Sequence, residues 1–336
     1  GHMVMAKRLG IKVERFSLGF GKKLFGIKKG GTEYVVCTFP LGGYVKLAGD
    51  NAAECKGDPD EFLSQSVLKR FLVIVAGSLT NYIFALLLFI AVFMVGYPTA
   101  TTEVGTILPD YPAAESRLEV GDVITGIGAK KVEYWPDLVS IVEKGTNGVP
   151  LTFTVERGKQ ELDVHIKPKV IRTKNVFGQE TAVGKIGITP RDKIVFVRHN
   201  LFGAVRMGGE RLIELTGLTY KGLWLIITGG MPIKDAVSGP VGIAFHIGQQ
   251  AKAGIVSLIF TMGYISMALA VFNMLPIPVL DGGHVLFLII EKVRGKPVSY
   301  RVQEVISQVV VYMLIAFFLF VSWNDINRWV LPFFKK

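Results

Sequence analysis

The sequence predicts a polytopic α-helical membrane protein that opens on a membrane-associated β-hairpin region and carries a soluble β-rich module between two of its spans. Three observations predict it. Half of the 336 residues are hydrophobic, and the mean hydropathy of +0.42 is more than a soluble fold can cover with polar side chains. Three runs approach the ~20 apolar residues that a membrane-crossing helix needs. Between the first two runs lies a stretch of short alternating strands and turns.

The spans are Phe71 to Val95, within a segment 71–97, Ile255 to Leu275, within a segment 255–291, and Val305 to Val321, within a segment 303–323. The net charge is +11. Its basic residues bunch at Lys7 to Lys29 and on to Arg70, and again at Lys292, Arg294, Lys296 and Arg301. Both clusters flank apolar runs, so the positive-inside rule accounts for them without a phosphate-binding surface, and nucleic acid is not an expected partner. The same rule puts both clusters in the cytoplasm and the stretch from about 98 to 250 outside, with lipid as the surrounding medium.

Residues 1–70 hold the hairpin region, and residues 11–50 within it are Gly-rich and β-like, too apolar for an ordinary loop and too broken for a helix. Thr32, Tyr34, Val36 and Thr38 alternate with Glu33, Val35 and Cys37 as a strand does, and Pro40-Leu41-Gly42-Gly43-Tyr44-Val45-Lys46 reads as a turn into a second strand. A hairpin at membrane depth must lie against protein or water. Residues 102–192 carry short strands at Val104, Val123, Leu151 and Leu162 and a helix over Asp137 to Lys144. Residues 195–250 hold apolar residues interspersed with Arg206, Arg211 and Lys221, which fits an interfacial amphipathic helix better than another span. Cys37 and Cys55 form no CxxC pair, and read as two unpaired cytoplasmic thiols.

The chemistry sits in Asn273-Met-Leu-Pro276-Ile-Pro278-Val-Leu280-Asp281-Gly282-Gly283-His284. An ionisable residue at membrane depth is costly and marks function. The prolines break the helix, and a carboxylate on a broken helix is a good zinc ligand. The same residues taken alone also describe a helix end with a capping Asp, and both readings stay open on the residues.

The string resembles the Asn-x-x-Pro-x-Pro-x-Leu-Asp-Gly motif of site-2 proteases, which are intramembrane zinc metalloproteases, and the match is complete. The resemblance implies that Asp281 is a zinc ligand and that Asn273 contacts substrate; His284 falls outside the family's ligand set and reads as structural. The start, Gly1-His2-Met3-Val4-Met5-Ala6-Lys7-Arg8-Leu9-Gly10, is similar to the end of the family's His-Glu-x-Gly-His-x-x-x-Ala-Lys-Arg-x-Gly. It implies that His2 is the second zinc His. The first His and the general-base Glu would precede Gly1, on a fourth, N-terminal span, so no catalytic residue is assigned within this sequence. Gly-His-Met is equally what a cloning scar leaves, and native sequence would then begin at Met3.

Further segments extend the resemblance over nearly all of residues 1–325. Phe16-Ser-Leu-Gly19-Phe-Gly21 and the stretch from Pro40 to Lys46 match the family's hairpin by the active site, which implies that Gly43, Tyr44 and Val45 bind an unwound substrate by strand addition. Ala76-Gly77-Ser78-Leu79-Thr80-Asn81 resembles Ala-Gly-Pro-x-x-Asn, with Ser78 where Pro is usual; a smoother helix is the expected consequence. Pro112 to Ile127 resembles a circularly permuted PDZ domain, with Ile186, Gly187 and Ile188 lining its peptide groove. Ser238-Gly-Pro-Val-Gly-Ile243 matches a family segment as well.

These resemblances imply a multi-pass protease of the bacterial inner membrane, with the PDZ domain outside and zinc as cofactor. Its substrates would be single-span regulators of the anti-sigma-factor kind, already trimmed outside, with a peptide or chain end held in the PDZ groove. The fragment as written is expected to be inactive. The competing reading is a catalytically inactive PDZ-bearing scaffold. A transporter is disfavoured by the absence of repeated helix sets.

Overall fold

The computed structural model describes residues 1–51, 53–233 and 237–331, with Pro40, Leu41 and Val330 described by backbone alone. Helix α1 (His2–Arg8) packs at its start on a long helix, α2 (Val67–Val95), so closely that a Cβ on Gly1 would lie 2.0 Å from the Ala76 carbonyl. Ala6, Ile11, Val13, Leu47 and Val73 form one small core that joins α1, the hairpin and α2.

The hairpin strands β1 (Val13–Lys29) and β2 (Thr32–Leu47) do more than pair once. Residues 13–18 pair antiparallel with 43–47, and residues 15–18 pair with 33–36 on their other side. The chain folds back on itself at left-handed glycines, Gly19, Gly21 and Gly42. Residues 43–47 thereby lie at an edge of the folded-back sheet.

Ser66 caps α2, its side chain accepting from the Lys69 N–H. Three helices are long and apolar enough to cross a membrane: α2, α6 (Ile255–Asn273) and α8, which runs Tyr300–Asp325 and continues as a wider turn to residue 330. Helix α6 lies along α2. Ala85, Phe89, Met267 and Val271 pack there with Leu215 of α4 (Leu201–Ile227), and Gly263 faces the Phe89 ring at a distance that leaves no room for a Cβ. The stretch 255–291 is two helices: α6 ends at Asn273 and α7 (Asp281–Arg294) follows an irregular link containing both prolines. Pro276 and Pro278 lack the N–H groups that would continue the helical ladder. Helix α5 (Pro240–Ala253) is tied to α8 by Asp325, whose Oδ2 accepts from the Gly242 N–H at 2.7 Å.

Strand β3 (Tyr97–Ala100) leaves α2 and pairs with β12 (Ile194–Val197), which leads into α4. The β module thus enters and leaves the membrane part on adjacent strands. Inside it, β6 (Lys130–Lys131), β5 (Val123–Ile127), β7 (Leu151–Arg157) and β8 (Gln160–Ile166) form a sheet in that order, α3 (Trp135–Glu143) lies over the core, and β4 (Val104–Ile107) pairs with β11 (Ile188–Pro190). Strands β9 (Lys169–Lys174) and β10 (Glu180–Lys185) form a separate hairpin. The core is Val104, Ile124, Phe153, Val155, Leu138 and Ile166 with their neighbours.

One charged group is buried in the module. Burial alone would raise the Asp122 carboxyl, but the Arg157 guanidinium and the Glu119 N–H bonded to it outweigh burial and hold it below the usual carboxylate range. Its folded pKa is depressed, so its contribution is present above the unfolded value of ~3.9 and is lost as pH falls through the folded value. Asp122→Asn is expected to destabilise the module by about 1–3 kcal/mol near neutral pH. Hydrogen–deuterium exchange should show it as faster exchange across residues 104–190; unchanged exchange there would contradict the assignment.

Candidate metal centre

Asp281 opens α7, and the link before it fixes how. Residues 274–280 coil back through N–H bonds from Ile277 to Leu275 and from Leu280 to Ile277. Val279 sits at φ 88°, a strained value for a β-branched residue. Gly282 and Gly283 press on this coil: a Cβ on either would lie 2.3 Å from a carbonyl oxygen of Leu275 or Ile277. The pair of glycines after Asp281 is therefore what lets the first turn of α7 close against its own lead-in.

His2 approaches from the other end of the chain. Its ring lies over Gly77 of α2, where a Cβ would fall 2.0 Å from Nε2. Its Nδ1 lies 3.0 Å from the Val73 carbonyl oxygen. A carbonyl only accepts, so Nδ1 carries the proton and Nε2 keeps its lone pair. That is the tautomer a metal-ligating imidazole needs, held by a backbone acceptor on its second nitrogen. Nε2 stands 3.8 Å from Asp281 Oδ2, with the His2 side chain 35% and the Asp281 side chain 19% exposed. Two ligands on one tetrahedral zinc, each at about 2.0–2.2 Å, are about 3.3–3.5 Å apart. The pair thus fits two corners of a zinc site after a small contraction. Among the described residues no group of three or more His, Cys, Asp or Glu could hold a metal, so these two supply part of a ligand set.

Ser78 completes the wall. Its Oγ donates to Asp281 Oδ2 at 3.0 Å, and the residue is 1% exposed. A proline here could not make this bond, so the departure from the usual family residue places a hydroxyl on the candidate ligand. Neither Ser78 nor the space left by Gly77 signals this role in the sequence. His284 lies one turn beyond Asp281 and within electrostatic reach of both Asp281 and His2.

The other expected site residues fall in three places. Asn273 is the last residue of α6 and half-buried; among the described residues its side chain makes no hydrogen bond to His2 or Asp281. Gly43, Tyr44 and Val45 lie on the edge strand. Gly43 passes so close to the Ser17 carbonyl that a Cβ would sit 2.3 Å from it, Tyr44 stacks on Phe20, and Val45 packs on the core containing Val73. Val73 therefore joins hairpin to metal centre, with its side chain in the one and its carbonyl on His2. Ile186, Gly187 and Ile188 belong to the β module. Ile186 faces that module's core, while the carbonyls of Ile186 and Gly187 accept from Ala113 and Leu108. Ile188 begins β11.

A family model, "Peptidase family M50", matches residues 1–317. A relative in Agrobacterium fabrum is 33% identical over 97% of this chain and 91% of its own. The zinc metalloprotease RasP of Geobacillus kaustophilus is 29% identical over 98% of this chain and 94% of its own, and that of Oceanobacillus iheyensis 26% identical over 98% and 95%. Among solved structures, the PDZ domain of an SdrC-like protein from Listeria innocua aligns with 28% of this chain and 96% of that one, at 20% identity and a TM-score of 0.22.

The packing at position 77 makes a direct prediction. Gly77→Val is expected to expel the His2 ring and lower zinc bound per chain by about tenfold or more. Gly217→Val on α4, where a Cβ meets nothing within 4 Å, should leave it unchanged. Elemental analysis of both variants checks this; equal zinc in the two would contradict the placement of His2.

Proposed function

The chain belongs to peptidase family M50, and from that premise we propose that it is an intramembrane zinc endopeptidase that cuts the membrane-spanning segments of single-span proteins. One observation supports the intramembrane reading above the rest. Ser78, which touches Asp281, is eleven residues past the start of α2 at Val67. At 1.5 Å per residue that is about 16 Å along the helix, inside a hydrocarbon core ~30 Å thick. Carboxylate and imidazole are costly at that depth unless they serve a site.

The residues then divide the work. His2 and Asp281 hold zinc, with the Val73 carbonyl fixing the imidazole tautomer and the Ser78 hydroxyl fixing one carboxylate oxygen. A zinc held there would supply an activated water as the nucleophile for peptide hydrolysis. The family motif's first His and its Glu base have no counterpart in residues 1–336. The edge strand 43–47 pairs with a substrate segment once that segment has unwound, because an extended chain at a sheet edge satisfies its backbone groups there. Asn273 would contact the substrate beside Asp281. The β module is a PDZ domain that takes a chain end at Ile186 to Ile188. The basic flanks put the hairpin in the cytoplasm and the β module outside a bacterial inner membrane. Single-span regulators already trimmed outside fit a site that an external domain overhangs.

A second reading is a PDZ-bearing scaffold that binds substrates through the edge strand 43–47 and the β module without cutting them.

The test uses the full encoded protein in detergent with a single-span substrate lacking its outer domain. Cleavage is expected, falling to background in Asp281→Ala and on chelation, and returning with zinc. Cleavage indifferent to chelator and to Asp281→Ala would sink the metalloprotease reading. Substrate capture without cleavage in every form would favour the scaffold.

A further inference from the structure

Asp281 opens a helix that does not continue the helical ladder of its predecessor. The link 274–280 between α6 and α7 lacks a continuous helical ladder, contains two prolines, and passes through Val279 at φ 88°. The first turn of α7 seats on that link through Gly282 and Gly283. At its other end α7 stops at Gly295 in the left-handed region. Between these ends the register of α7 is set by its contact with α2.

That contact has a tie at each end. The first is Ser78 on Asp281, described above. The second lies 10 residues further along α7 and joins Arg70, in the first turn of α2, to Glu291. It is a fork: Arg70 Nη1 donates to Oε2 at 3.1 Å and Nη2 to Oε1 at 2.5 Å. The guanidinium is itself braced, since its Nε donates to the Gln65 carbonyl at 3.2 Å. The Arg70 side chain is 10% and the Glu291 side chain 17% exposed. The two ties run in opposite chain order along the two helices, about 12 Å apart on α2 from Arg70 to Ser78 and about 15 Å apart on α7 from Glu291 to Asp281.

Two charges this well buried are costly, and the cost is offset only where geometry is good and other donors and acceptors are satisfied. A bidentate Arg–carboxylate pair meets that condition and also fixes orientation, which a Lys point charge cannot do. Helix α7 has 14 residues in one unbroken helix, so its two ends are rigidly spaced. A slip of 1 Å at Glu291 becomes a slip of about 1 Å at Asp281, and metal ligands need placement within about 0.5 Å.

We propose that the Arg70–Glu291 pair is a positioning clamp, which sets the register of α7 against α2 and so holds Asp281 at the height of His2. The proposal rests on the reading of Asp281 as a zinc ligand. It predicts that breaking the fork weakens zinc binding from a distance, with no change to any group that touches the metal.

The experiment measures zinc affinity of the full encoded protein by competition with a chelator of known affinity, alongside thermal unfolding of the metal-free form. Glu291→Gln and Arg70→Lys are the test variants, because both keep the size of the side chain. Phe153→Leu, in the core of the β module, is the control for stability loss alone. Glu291→Gln and Arg70→Lys should each lower zinc affinity about tenfold or more, while Phe153→Leu lowers the unfolding temperature with zinc affinity intact. Wild-type affinity in both test variants, or a loss no greater than that of Phe153→Leu, overturns the clamp. Equal affinity in wild type and Asp281→Ala would instead overturn the premise that Asp281 is a ligand.

Discussion

The site depends on a bare patch of helix. At position 77 of α2 there is no side chain, and the His2 ring occupies the space that one would fill. One turn back, the Val73 carbonyl accepts from the imidazole Nδ1–H; one residue on, the Ser78 hydroxyl donates to a carboxylate oxygen of Asp281. Residues 2 and 281 are thus brought together by facing the same three-residue wall rather than by any pairing of their own elements. The wall lies well inside α2, and the buried Ser78 bond gains from the low dielectric.

The surrounding structure holds that wall still. Helix α6 packs along α2 through Phe89, Met267 and Val271, and Ser266 of α6 donates to the Asn81 carbonyl at 2.9 Å. Helix α4 closes the outer half of α2 through Leu215. The hairpin reaches the same helix through Val13, Leu47 and Val73. The edge strand and His2 are both anchored on Val73, which ties the surface that would receive an extended chain to the groups that would act on it. Helix α8, by contrast, buries only 6% of its apolar window against the rest of the chain.

Much of this was legible in the sequence for reasons of scale. Spans are long, so ~20 apolar residues announce them, although α2 begins at Val67 rather than Phe71 because Lys69 and Arg70 fit inside the first turn. The prolines at 276 and 278 correctly break the stretch after Asn273. The amphipathic stretch from 195 became a 27-residue helix starting at its Asn200 cap. What was not legible depended on contacts between distant residues. The hairpin's alternation gives strands, but its fold-back follows from three left-handed glycines acting together. Ser78, read as the loss of a proline, gains its meaning only from a hydrogen bond to a residue 203 positions away. Gly77 carries no pattern at all; its role appears once the His2 ring lies on it.

The central claim is that His2 and Asp281 share one metal on the face of α2. Anomalous diffraction at the zinc absorption edge, from crystals of the full encoded protein, tests it most directly. The account predicts one strong peak within about 2.0–2.2 Å of His2 Nε2 and of an Asp281 carboxylate oxygen. A zinc peak bonded to neither residue, or bonded to His2 through Nδ1 with the Val73 carbonyl left free, would contradict it.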